Sequence, residues 1–192
     1  MDTTTEGHFT LGKLTTVAAS EAPELVAPHV LAALTVLGLE NSVGVVEIDP
    51  ELSDTAATEA AYDLQPEWLA NCVIVMGKRE GEERIAACVV PSTTRADINN
   101  LVKRRLDVRK ASFMPREQAV ELAGMEFGAI TPIGLPNGWP VYVDETIATT
   151  PLLIVGSGIR KSKLVVPGAL FDKFPGAVLI PELGRAIPVE QS

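Results

Sequence analysis

Three glycines and a proline fall within the eleven residues Gly124–Gly134, GMEFGAITPIG, with Met125, Phe127, Ile130 and Ile133 between them. Neither a helix nor a strand favours that mixture. Glycine admits positive φ and close approach of another group. Pro132 fixes its own φ, lacks an N–H and drives Thr131 towards extended geometry. The expected product is a rigid loop with an apolar backing, its N–H groups directed at a ligand. A second glycine turn, Val155-Gly156-Ser157-Gly158, follows the apolar run Leu152–Val155. The sequence predicts a scaffold that brings the two glycine loops together over one pocket. On local sequence alone, two tight turns that merely close strands remain the alternative.

Aligned amides in such turns bind a carboxylate, a phosphate or the oxyanion of acyl transfer. Thr131 and Ser157 add hydroxyl groups to that inventory, and Asp144, at a strand end, either orients a partner or caps a turn. Two basic clusters stand out. Lys103, Arg104, Arg105, Arg109 and Lys110 form one, and Arg160, Lys161 and Lys163 follow the second glycine turn. They read either as a one-sided patch for a polyanion or as solvated helix and strand ends. Cys72 and Cys88 sit inside apolar runs with no basic neighbour, so reduced, buried thiols are expected rather than a nucleophile. His29 has no second His or Cys at ligand spacing and reads as a helix-face residue.

Other chemistries lack their signatures. No glycine loop is followed by Lys-Ser or Lys-Thr, as a Walker loop requires. Gly156-Ser157-Gly158 is not a GxSxG elbow, and Lys161 stands where the third glycine of a dinucleotide fingerprint belongs. No metal and no cofactor are expected. The chain has 192 residues, 46% hydrophobic and 21% charged, with a net charge of −9. That composition fits one folded domain, residues 1–192, with 1–20 and 183–192 peripheral. The acidic balance argues against coating nucleic acid by bulk charge. No apolar run approaches the roughly 18 residues of a spanning helix, and the polar, acidic start does not resemble a signal peptide; a cytoplasmic protein with no membrane contact is expected.

The elements that must position these groups read as follows. A short strand is expected within Lys13–Val17. Apolar residues at helical spacing predict a helix over Pro23–Leu39, regular from about Pro28 and stopped by Gly38. A strand at Val43–Ile48 precedes a helix over Thr55–Tyr62, capped by Asp54 or Ser53. Cys72–Met76 and Ile85–Val90 read as a hairpin around Gly81, continuous in apolarity and so covered on both faces. Ser92-Thr93-Thr94 is expected to cap a helix from about Arg95 to Leu106. A strand at Ala111–Phe113 and a helix over Pro115–Leu122 lead into the glycine loop. Strands follow at Pro140–Val143, Leu152–Val155, Leu164–Val166 and Ala177–Ile180, with a short helix over Gly168–Phe174. The class is α+β, a curled mixed β-sheet of about seven strands flanked by four to five helices.

In that order these residues resemble the YbaK/EbsC family, aminoacyl-tRNA editing domains related to prolyl-tRNA deacylases. The hairpin of Cys72–Met76 and Ile85–Val90 is similar to the family's first central hairpin. Lys110-Ala111-Ser112-Phe113 and the Pro115–Gly124 helix are similar to the strand and helix before its loop. Gly124-x3-Gly128-x-Ile130-Thr131-Pro132-x-Gly134 resembles its glycine–proline loop, and Pro140–Asp144 with Val155-Gly156-Ser157-Gly158-x-Arg160 its closing strands and turn. The resemblance covers roughly residues 24–182.

The resemblance implies a trans-editing deacylase that cleaves the ester of a mischarged tRNA without a metal. Its glycine-loop amides would hold the aminoacyl carbonyl and the terminal ribose. One position departs from the family: many members carry a Lys where this chain has Asn71, a neutral side chain that can orient a substrate but cannot offset charge. The expected catalytic residues are Asn71, Gly128 and Thr131. Substrate contacts are expected from Gly124, Phe127, Ile130, Pro132, Gly134, Asp144, Gly156, Ser157 and Gly158, and tRNA contacts from Lys110, Arg160, Lys161 and Lys163. The expected partners are the 3′ end of aminoacyl-tRNA and an aminoacyl-tRNA synthetase. The alternatives are a binding module that keeps the fold without hydrolysis, which Asn71 favours, and a hydrolase of another small ester.

Overall fold

A computed structural model describes residues 6–187. Its centre is the hairpin of Ala70–Arg79 and Glu82–Pro91, ten residues a side in unbroken antiparallel register from Ala70↔Pro91 to Arg79↔Glu82. The two-residue turn explains that register. Glu80 and Gly81 both have positive φ, 53° and 87°, the backbone whose twist matches a tight hairpin. Val141–Asp144 joins Glu82–Pro91 in parallel, Ala177–Ile180 joins Val141–Asp144 in parallel, and Ala111–Phe113 closes the far edge antiparallel to Ala70–Arg79. The five-stranded sheet is therefore mixed.

A second, four-stranded antiparallel sheet runs in the order Leu152–Gly156, Ser162–Pro167, Gly44–Glu47, Val17–Ala18. It touches the first through the parallel bridge Leu69↔Ile154. Two further pairs are small, Thr10–Leu11 with Leu14–Thr15 and Thr94–Ala96 with Gly184–Ala186. The α+β class holds and the proteins of similar fold described below share it. The single curled sheet of about seven strands is corrected to two main sheets joined at the Leu69↔Ile154 bridge, and the extra strands of two or three residues are too short to carry a period.

Side-chain alternation explains the core. Ile74 and Val89 face one side of the central hairpin, where they pack with Val45, Val155, Leu164 and Val166 of the second sheet and with Val30 and Leu34 of the helix Pro28–Leu37. Val75 and Cys88 face the other side, covered by Ile98, Val102 and Leu106. Burial on both faces is what the continuous apolarity of those strands requires. Cys72 and Cys88 belong to these opposite clusters; both are free thiols, and burial pushes both pKa values up, that of Cys88 to about 12. No helix among the described residues is long and apolar enough to cross a membrane.

The predicted helix over Arg95–Leu106 is corrected. Thr94–Ala96 is a strand, and the helical segment starts at Ile98 behind Asp97, whose Oδ1 accepts from the Asn100 amide at 3.1 Å. Thr94 is not its cap because it lies in the strand, three residues before Asp97; its hydroxyl donates back to Pro91 O at 2.9 Å. Elements outside the sequence reading include the helix Glu145–Thr149, a single turn and a half behind Asp144, and the strands Thr10–Leu11 and Gly184–Ala186.

Candidate active site

The two glycine loops do meet. The Gly158 amide donates to Ala129 O at 2.8 Å and the Glu126 amide to Gly158 O at 2.9 Å. Gly156 makes the approach possible. A Cβ there would lie 2.7 Å from Ile130 O and closer still to Ala129 O, so only glycine lets the loop lie across this strand. Gly124 ends the helix Arg116–Ala123 in a left-handed cap with φ 65° and turns the chain into the loop.

Beneath the loop, at the seam between the two sheets, is a cavity of about 300 Å³. Leu69, Ala70, Cys72 and Ile154 give it an apolar floor, Gly128, Ile130 and Gly156 one wall, and Asp54, Thr55 and Asn71 the other. The amides of Gly128 and Ile130 donate to no acceptor among the described residues. Phe127, 43% exposed, stands at the mouth with the Arg116 guanidinium 3.6 Å from its ring centroid.

The opposing wall is built by capping. Asp54 Oδ1 accepts from the Ala57 amide at 3.0 Å and starts the helix Thr55–Tyr62, as its N-cap position predicts. Thr55, the first helical residue, donates its hydroxyl to Asn71 Oδ1 at 2.6 Å. Asn71 is thereby fixed at the cavity with its amide NH₂ uncommitted among the described residues.

Two cations clamp these walls together. The Arg160 guanidinium donates to Phe127 O at 2.9 Å and Pro50 O at 2.8 Å. Lys163 Nζ donates to Ser53 O at 2.6 Å and Gly128 O at 3.2 Å. Lys163 was expected among surface contacts to tRNA; the structure instead buries it, 6% exposed, and makes it a cavity residue. Burial, opposed by Asp54 and assisted by Arg160, holds its amine down to about 8. Arg160 is half-buried and committed to the two carbonyls. Lys161 and Lys110 remain exposed, Lys110 beside the edge strand Ala111–Phe113.

Of the expected site residues, Asn71, Phe127, Gly128, Ile130, Gly156 and, in an unexpected place, Lys163 line the cavity. The others do not, for local reasons. Thr131 is fully buried; its amide donates to Met125 Sδ at 3.3 Å, and its hydroxyl has no partner among the described residues. Pro132 and Gly134 border a separate groove beside His29 and Trp139. Ser157 is spent internally, 2.7 Å from Ser162 Oγ and 2.9 Å from Ile159 O. Gly158 packs on Ala27. Asp144 is a buried cap, accepting from the Thr146 amide at 3.0 Å and the Gly184 amide at 2.7 Å. Thr55, Cys72 and Lys163 were not expected at the cavity. The sequence signal for Lys163 was its place at the head of the apolar run Leu164–Val166, which puts it in a strand rather than a solvated turn. No group of three or more His, Cys, Asp or Glu able to hold a metal occurs among the described residues.

The model of the aminoacyl-tRNA editing domain matches residues 49–174, more than half of the chain, and both walls of the cavity lie within that span. The chain belongs to the aminoacyl-tRNA editing domain family. Among solved structures it is similar to a candidate trans-editing enzyme for prolyl tRNA synthetase, at 19% identity and a TM-score of 0.67, over 80% of this chain and 94% of that one. It is likewise similar to the hypothetical protein APE2540, at 20% identity and a TM-score of 0.71, over 82% and 99%. At these identities the likeness is one of fold. None of the curated proteins matches the chain in sequence.

Proposed function

We propose that this editing domain acts in trans as a deacylase on mischarged tRNA. A water adds to the acyl carbon of the ester that joins the wrong amino acid to the terminal ribose. The ester C–O bond then breaks, and the amino acid and the free 3′ end depart. The observation that carries this reading is the pair of uncommitted amides, Gly128 and Ile130, on the wall of a 300 Å³ cavity. Two fixed N–H groups are what a carbonyl oxygen gaining charge requires, and being preorganised they reorganise little during reaction. The apolar floor suits the side chain of a small amino acid, Asn71 is placed to hold the ester or ribose, and Phe127 at the mouth offers a face for the terminal base. The reading needs no metal or cofactor. Exposed Lys110 and Lys161 are the remaining candidates for phosphate contacts, and a synthetase is the candidate protein partner.

Editing of this kind serves where a methylene or hydroxyl gives a synthetase too little discrimination. The test is a deacylation screen against a panel of mischarged tRNAs. At least one pair should be hydrolysed well above its uncatalysed rate. If none is, the neutral Asn71 supports the second reading, a binding module that retains the cavity without hydrolysis, and the deacylase reading fails.

A further inference from the structure

We infer that Lys163 is a catalytic residue of this site, presenting its one uncommitted N–H to the acyl carbonyl oxygen of the substrate. The inference rests on the deacylase reading above. Lys163 faces Gly156 in the register of the strands Leu152–Gly156 and Ser162–Pro167. Because Gly156 has no side chain, the lysine stem runs inward beneath the glycine loop and its ammonium reaches the cavity. Lysines are almost never buried without a partner. This one makes no ion pair with a carboxylate among the described residues; its partners are two neutral carbonyls, Ser53 O and Gly128 O. An ammonium carries three N–H groups, so one is left for a ligand.

The groups that face it are accounted for. Asp54 is the N-cap of the helix Thr55–Tyr62 and spends Oδ1 on the Ala57 amide. Arg160, from the second glycine turn, is held by Phe127 O and Pro50 O, and its own amide by Glu126 Oε2. Across the cavity stand Asn71 and the Cys72 thiol, the latter kept protonated by burial. Lys163 is thus the one lysine or arginine on the cavity lining. As the water oxygen adds to the acyl carbon, the carbonyl π pair moves to oxygen and the ammonium hydrogen-bonds to the oxyanion. Collapse restores C=O and expels the ribose oxygen, which takes the proton that the water gives up. Lys163 keeps its own proton throughout. Its amine is charged below about pH 8 and neutral above, so the stabilisation is present on the acid side and lost as pH rises through that value.

The experiment compares wild type, Lys163→Met and Lys163→Arg on the best substrate of the panel, with kcat, KM and melting temperature measured on either side of pH 8. Lys163→Met should lower kcat by about 10²–10³, while Lys163→Arg, charged at every pH used, recovers at least about tenfold of that loss. The wild-type enzymatic rate should fall above pH 8, and the Arg variant should lack that fall. If Lys163→Met does not fold, the wild-type and Arg pH profiles decide the matter alone. An unchanged kcat in folded Lys163→Met, a loss confined to KM, or a wild-type profile without the alkaline fall overturns the role. A wild type inactive on every tRNA sinks the deacylase reading itself, whereas an active wild type with an indifferent Lys163 sinks this inference only.

Discussion

Replacing Gly156 by alanine exchanges one hydrogen for a methyl group, yet it should dismantle the site. Gly156 sits in ordinary strand geometry, outside the positive-φ glycines, so the backbone itself tolerates a side chain. The obstacle is purely steric. The new Cβ would lie 2.7 Å from Ile130 O and 2.5 Å from the Ala129 carbonyl carbon, and ordinary carbon–oxygen contact needs about 3.3 Å or more. Both obstructing groups are backbone, so the loop must withdraw by the order of 1 Å. The Gly158–Ala129 hydrogen bond of 2.8 Å then breaks or stretches, and the amides of Gly128 and Ile130 move with it. Overpacking of this kind costs about 1–3 kcal/mol, and a misplacement of about 1 Å costs roughly 10²-fold in rate. Gly138→Ala is the control. It stands in open space with φ 88°, so it carries backbone strain of about 1 kcal/mol and leaves the cavity alone. Deacylation per folded molecule and melting temperature should be measured on both. Gly156→Ala should lose about two orders of magnitude in kcat/KM while Gly138→Ala keeps its rate. Equal rates for the two variants would refute the argument that the loop's seat on Gly156 positions the amides.

Two further outcomes separate orientation from support. Asn71→Ala should reduce turnover by about 10²–10³ with little change in melting temperature, because the lost bond is a single half-exposed one to Thr55; Asn71→Lys should raise activity if added charge helps the site, and a stability loss without a rate loss would return Asn71 to a structural role. Asp144→Ala removes the acceptor for the Thr146 and Gly184 amides and should cost about 1–3 kcal/mol, a fall of about 2–4 °C in melting temperature per kcal/mol, with turnover per folded molecule unchanged.

Asp144 marks where sequence reading stopped short. A carboxylate at a strand end near a glycine loop is equally a ligand group and a cap, and the two amides it serves belong to a five-residue helix and to the strand Gly184–Ala186, both too short to be read from their pattern. The caps that could be read were those beside a helix whose own periodicity is visible: Asp54 before Thr55–Tyr62, Gly38 and Gly124 after their helices. Local chemistry determines those, and it also determined the Glu80-Gly81 turn and the two-faced hairpin. Thr94 failed as a cap because Thr94–Ala96 pairs as a strand with Gly184–Ala186, a long-range partner, and the helix begins only behind Asp97. The glycine loops were legible as partners, yet which half of the longer loop lines the cavity was not. That depends on Gly156 lying under Ala129 and Ile130, a long-range contact. Lys163 was grouped with Arg160 and Lys161 because adjacent charges look alike in a string. Their fates diverge at the strand, where Lys161 remains exposed in the turn and Lys163 turns inward opposite a glycine.

The two clamps also fix when the cavity can exist. Arg160 and Lys163 reach carbonyls 110 residues earlier in the chain, at Pro50 and Ser53, and closing spans of that length carries an entropic cost that local hairpins avoid. During synthesis the central strands from Ala70 to Pro91 can pair as soon as they emerge, and the glycine loop follows with its turns already encoded. Neither wall can be tied to the other until residue 163 has left the ribosome. A nascent chain therefore carries the recognisable loop well before it carries a pocket, and the pocket is completed in one late step, when a single short strand slots between Gly44–Glu47 and Leu152–Gly156.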